Sequence, residues 1–235
     1  MFKNAWAGDW NGRLPAGDTH QRAREVVRPT GTIMRGKFPS RKNGRMVDHE
    51  GLLERDAIIL FEASHLVKRY REQPTSICYP DGGGLRRYTP DFELVLGTGE
   101  VVIIEVKHTG SLAHENVRHK LNSIEKHYQE LGANFLVMTE KVIRQEPRLS
   151  NLRQICAGAG RIWPTSAAIQ NALSIYHQHF PTTLYHANHM LQQYDLNVYC
   201  LFVSGALSID LTRPITSETT VDIIKENDHA YFWLA

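Results

Sequence analysis

Apolar and polar positions change period several times along the chain, and each change predicts an element. In DHEGLLERDAIILFEASHLV, residues 48–67, apolar residues recur at three- and four-residue steps through Leu53, Ala57, Leu60 and Phe61, with Ile58 one face over. This spacing predicts a helix with Asp48 as its N-cap. Glu54 shares a row with Ile58 and Phe61, so its carboxylate borders the inward face. After Pro74, TSICYPDGGGLRRYTPDFELVLGTGEVVIIEVK reads as three strands turned at DGGG and GTG. A helix follows from His114 to Leu131, ended by Gly132, and ANFLVMTE is the next strand. Strands flanked by helices predict a mixed α/β domain.

Beyond Pro147 the character changes. NALSIYHQHF and TLYHANHMLQQYD read as short helices, and NVYCLFVSGALSIDLT as two strands around Ser204-Gly205. Helix, helix and hairpin predict a small α+β winged-helix-like domain over 148–235, behind a larger domain at 33–147. Residues 1–32 mix Gly, Pro, Asp and Arg without period and read as an N-terminal arm.

Composition narrows the class. With 42% hydrophobic and 22% charged residues over 235 positions, the chain resembles ordinary globular proteins and can bury a core. It has no run suited to a signal peptide or a membrane span, so a cytoplasmic location without a membrane partner is expected. Cys78, Cys156 and Cys200 lie far apart and read as buried free thiols rather than a zinc or disulfide framework. A net charge of +2 does not by itself announce nucleic-acid binding. Local clusters must carry that inference. RGKFPSRKNGR gathers Lys37, Arg41, Lys42 and Arg45 in a predicted loop, open to two readings: a solvated charge run or a phosphate-contacting segment.

The candidate chemistry lies in the apolar strand VVIIEV, which carries Glu105 and is followed by Lys107. Ionised groups in such a strand are costly unless paired or metal-bound. With Gly97, Thr98 and Gly99 as a three-residue turn, Asp91 falls opposite Glu105, and Lys107 shares the face by the period of two. Either Glu105 and Lys107 form a surface pair at a sheet edge, or the carboxylates hold a divalent cation. A Mg²⁺ site of one or two carboxylates with substrate phosphate would suit phosphodiester hydrolysis, the lysine orienting water or stabilising charge. His108, next to that lysine, is read as a phosphate contact or a strand-end cap. His119 and Lys120 on the following helix read as groove-lining or solvated. Tyr88 and Phe92 are expected as core or wall residues. The runs HQH and HANH lack partners at ligand spacing for zinc.

The order helix Glu, then Pro90-Asp91, then Glu105-x-Lys107 resembles the restriction-endonuclease-like PD-(D/E)xK nucleases. More narrowly, GKFPS, LERD, REQP, YTPDF and EVK in this order, over roughly residues 33–145, are similar to TnsA-type transposon endonucleases. The resemblance implies a restriction-endonuclease-like mixed sheet flanked by helices. It implies catalytic roles for Glu54, Asp91, Glu105 and Lys107, with Glu54, Asp91, Glu105 and the Val106 carbonyl holding Mg²⁺ or, in its place, Mn²⁺. It further implies hydrolysis at the 5′ ends of a mobile element, with double-stranded DNA, the DDE transposase TnsB and the AAA+ regulator TnsC as partners in a prokaryotic cell. A stand-alone restriction or repair nuclease and a non-catalytic adaptor are the competing readings.

Overall fold

The computed structural model describes residue 23 and residues 35–160 and 163–224. Apart from Ala23, whose N–H donates to the Gln73 carbonyl at 3.1 Å, the expected N-terminal arm lies outside the described residues. The chain divides into two compact units, one from 1–58 and 67–143, the other from 59–66 and 144–235.

The first unit opens with a hairpin, β1 (Gly36–Ser40) and β2 (Arg45–His49), where a loop was expected. Gly44, at φ +61°, and an Asn43 N–H bond to Ser40 Oγ close its turn. Asp48 is thereby held in a strand opposite Lys37 and does not cap the next helix. Helix α1 (Leu52–Ala63) starts later than predicted, and its caplike contact comes from within: Glu54, in the first turn, reaches back to accept the Glu50 N–H at 2.7 Å.

The helix also ends sooner than its apolar period suggests, because 67–72 is β3 (Val67–Glu72), a strand absent from the sequence reading. Its buried side chains, Val67, Tyr70 and Glu72, do not form a simple apolar alternation. The long middle strand expected between DGGG and GTG is in fact two. Among the described residues, β4 (Ile77–Asp81) and β5 (Gly84–Tyr88) pair only with each other, whereas β6 (Phe92–Leu96) joins β3 and β7 (Val101–Lys107). Pro90, which has no N–H for a ladder, lies in the break. After a short helix α2 (Thr109–Leu112), α3 (Glu115–Glu130) ends at Gly132, which takes φ +69°. β8 (Asn134–Thr139) then returns parallel to β7, completing a mixed sheet of order β3-β6-β7-β8, and α4 (Glu140–Ile143) follows. Tyr79, Tyr88, Ile103, Ile124 and Tyr128 form a buried cluster that seats β4, β5 and α3 on β7.

The second unit holds α5 (Arg148–Gly158), α6 (Ser166–Tyr176), β9 (Thr182–Thr183), α7 (Leu184–Leu191), α8 (Val198–Val203), β10 (Leu207–Ile209) and β11 (Thr220–Ile223). The two expected helices are α6 and α7, but VYCLFV is α8 and not a strand. Asn197 caps it by accepting the Cys200 N–H at 2.9 Å, and Gly205 at φ +78° follows its end. The hairpin on which the winged-helix expectation rested is therefore replaced by helix and strand. β10, β11 and β9 form a separate antiparallel sheet. Buried Asn151 ties down the loop before β11, donating to the Leu211 and Arg213 carbonyls and accepting from Ile215 N–H. Cys156 and Cys200 are buried as expected, but Cys78 is exposed on β4, a strand with a single neighbour; all three thiols are free. Among the described residues no helix is long and apolar enough to cross a membrane.

Candidate active site

The turn after β6 is the three-residue loop expected from GTG. Leu96 N–H donates to the Glu100 carbonyl at 2.9 Å, and Gly99 takes φ +91°, a region that favours glycine. The pairs Phe92↔Ile104 and Glu93↔Ile103 continue the register, which places Asp91, just before β6, beside Glu105. Lys107 lies on the face of Glu105, two residues along β7.

Contacts within this group are tight. Lys107 Nζ is 2.7 Å from Glu105 Oε1, and the Tyr88 hydroxyl donates to Glu105 Oε2 at 2.5 Å. Asp91 Oδ2 accepts the Val106 N–H at 2.8 Å, while the Asp91 carbonyl accepts the Gln73 N–H at 2.8 Å. An extended residue sends its N–H and C=O to the same side of the strand. The Val106 carbonyl therefore leaves β7 toward the side on which Asp91 sits.

Electrostatics bind the four expected catalytic residues into one site. Burial, then the charges of Glu105 and Glu54, push the Asp91 carboxyl well above the usual carboxylate range; Lys107 and the Val106 N–H oppose them. Burial raises Glu54 as well, with Glu50 and Glu105 adding to it and the Glu50 N–H and Lys107 opposing. Burial pulls the Lys107 ammonium down, but Glu105, Asp91 and Glu54 outweigh it and hold that group above its ordinary value. Among the described residues, the carboxylates of this group thus outnumber the cation, Lys107, that opposes them. No three Asp, Glu, His or Cys side chains among the described residues stand as a group that could hold a metal ion. Glu105 is engaged at both oxygens, and Glu54 and Asp91 each at one.

The expected DNA-contacting residues fare unequally. Arg45 is buried and grips Glu72 through two bonds of 2.7 and 2.6 Å, so it is a strut and not a phosphate contact. Lys42 Nζ donates to the Val67 carbonyl at 2.6 Å, and Arg41 lies in the turn between β1 and β2. Lys37 is exposed, 3.6 Å from Asp48. His108 is also exposed, with Nδ1 3.6 Å from Glu140 Oε2. His119 Nε2 is 2.8 Å from Asp81, and Lys120 Nζ lies 5.2 Å from the centre of the Tyr88 ring.

Two participants escaped the sequence reading. Tyr88, expected as a core or wall residue without a role in the site, is hydrogen-bonded to Glu105; the available signal was a tyrosine in a strand, whose hydroxyl needs a partner once buried. Glu140 accepts from both the N–H and the hydroxyl of Thr109, and these bonds hold its carboxyl down to about 2. The parallel register Lys107↔Thr139 explains this, since it sets Glu140 beside the segment that follows Lys107.

A four-stranded mixed sheet with helices, bearing an aspartate beside Glu-x-Lys and a helix glutamate, is a restriction-endonuclease-like α/β fold. Residues 64–140 match the family model described as TnsA-like endonuclease N terminal, so this part of the chain is similar to that domain. Asp91, Glu105, Val106 and Lys107 fall within the matched stretch; Glu54 precedes it. No curated protein matches the chain.

Proposed function

We propose that the chain is a Mg²⁺-dependent DNA endonuclease subunit of a heteromeric cut-and-paste transposase, hydrolysing the phosphodiester at the 5′ ends of the element. The observation that carries this reading is the β6–β7 register, which gathers Asp91, Glu105 and Lys107. The donor set suits a hard cation: carboxylates of Glu54, Asp91 and Glu105 with the Val106 carbonyl, in an environment already too rich in negative charge. When bound, the cation would polarise the phosphate and acidify a water molecule.

The protein's own residues do the rest. Glu105, Asp91 and Glu54 hold the Lys107 ammonium above its ordinary value, which suits it to orient the attacking water and offset charge on the phosphate. Asp91 fixes the Val106 peptide through its N–H, which keeps β7 in register at the reacting centre. Lys37, His108, His119 and Lys120 remain as exposed cationic or titratable candidates for the DNA backbone, joined in part by Arg41. DNA, the transposase TnsB and the regulator TnsC are the partners this function requires.

In a reconstituted strand-cleavage assay, Asp91→Ala and Lys107→Ala should each lower 5′-end nicking by at least about 10³-fold, with 3′-end cleavage by the partner retained. Full nicking by either variant refutes the assignment. Plasmid cleavage by the purified chain alone would instead favour a stand-alone nuclease.

A further inference from the structure

The β4–β5 hairpin pairs with no strand of the main sheet, yet it delivers one polar atom to the candidate active site. The Tyr88 ring is fixed on several sides. It meets Tyr79 and Phe135 edge-on, at centroid distances of 6.4 and 6.5 Å, and Lys120 Nζ stands 5.2 Å from its centre. With Ile103, Ile124 and Tyr128 it belongs to a buried apolar cluster. Phenylalanine would satisfy all of that packing, and a buried hydroxyl without a partner is destabilising. The hydroxyl therefore needs an explanation beyond packing, and its one hydrogen-bond partner is Glu105 Oε2.

The other oxygen of Glu105 is held by Lys107 at 2.7 Å. These anchors differ in kind. Lys107 sits on a flexible stem with its side chain about one-third exposed, and in the proposed reaction it must turn toward water and phosphate. Tyr88 is 4% exposed, its ring held on several sides by the cluster, with no room to turn. Once Lys107 turns away, Glu105 has Oε1 free and Oε2 still bound.

We propose that Tyr88 is a positioning residue of this site: its hydroxyl holds Glu105 Oε2, so that the carboxylate keeps its orientation and presents only Oε1 to a divalent cation. The inference rests on the nuclease reading above. Outer hydrogen bonds to carboxylate ligands commonly contribute 10–100-fold to metal affinity or turnover. The hairpin that carries Tyr88 is thereby part of the active site, although it bears no residue of the nuclease motif.

The test uses the full chain. Mn²⁺ binding followed by electron paramagnetic resonance should weaken about 10–100-fold in Tyr88→Phe. In the reconstituted reaction, kcat for 5′-end nicking should fall by a similar factor, with KM for DNA within about twofold. Tyr128→Phe removes a hydroxyl from the same cluster that does not bond Glu105, and should match the wild type in both measurements. Tyr88→Phe with unchanged Mn²⁺ affinity and nicking overturns the proposal, provided Lys107→Ala is inactive. Nicking by Lys107→Ala, or a wild-type chain that binds no Mn²⁺, overturns the nuclease reading itself. If Tyr88→Phe folds poorly, difluorotyrosine at position 88 keeps the shape and alters donor strength: a shifted Mn²⁺ affinity supports the assignment and an unshifted one overturns it.

Discussion

Replacing Glu72 with alanine should destabilise the first unit by about 3–5 kcal/mol, the range for breaking a buried ion pair from one side. Arg45 Nη1 and Nη2 bond the two Glu72 oxygens at 2.7 and 2.6 Å, and the side chains are only 3% and 2% exposed. Glu72 Oε1 also accepts the Asp48 N–H at 3.2 Å, and Arg45 Nη1 donates to the Met46 carbonyl at 3.0 Å. Glu72→Ala thus removes the buried carboxylate that neutralises the guanidinium and accepts the Asp48 N–H. Arg45→Met should cost a comparable amount by removing the cation that neutralises the buried carboxylate. The double variant Arg45→Met/Glu72→Leu, with both members of this buried pair made apolar, should recover most of the loss. Urea denaturation of the wild type and the three variants gives the comparison, read from midpoints at constant m-value. A phosphate-contacting arginine would behave differently: its loss would leave stability nearly unchanged and lower the salt slope of DNA binding by about 0.9. A cost below about 1 kcal/mol for Glu72→Ala, together with such a slope change in Arg45→Met, would refute the strut and restore the DNA contact.

Glu140→Gln addresses the clasp on Thr109. Because hydrogen bonds from Thr109 hold the folded carboxyl down to about 2, against an ordinary 4.5, the unfolded chain binds the proton more readily. The stabilisation is complete above about pH 4.5 and fades as pH falls toward 2. Thermal unfolding of wild type should therefore lose more stability than Glu140→Gln across that window, and parallel profiles would contradict the clasp. Asn197→Ala should cost about 0.5–2 kcal/mol by removing the cap of α8, measured by urea midpoint; a smaller effect would mean that the apolar side chains alone fix this helix.

The parts of the molecule legible in the sequence are those governed by local rules. The Gly97-Thr98-Gly99 turn sets the β6–β7 register, and the register sets Asp91 beside Glu105, so the centre of the site follows from turn length and a period of two. What escaped depends on distant partners. Arg45 reads like its neighbours in RGKFPSRKNGR, and only Glu72, 27 positions away, turns it inward. Tyr88 acquires its role from Glu105 across two separate sheets. VYCLFV was ambiguous because a short, wholly apolar run suits a buried strand as well as a buried helix. Its cap and the glycine after it decide the matter. The break at Thr89-Pro90 was obscured by apolar and aromatic residues on both sides, which read as one long strand.

That break has a consequence for how the gene can vary. The tip of the β4–β5 hairpin, Gly82 to Gly84, is exposed, and added side-chain atoms there meet nothing within 4 Å. Loops of different length can be inserted at that point, by drift or by an engineer placing a label, while Tyr88 keeps its position. Five residues further on, the freedom is gone: one extra residue between Tyr88 and Asp91 would leave the phenol anchored in its cluster and push the aspartate out of step with β7. Length variation should therefore be permitted at the hairpin tip and purged at the corner, so that the same short stretch of chain holds both an adjustable and an immovable dimension.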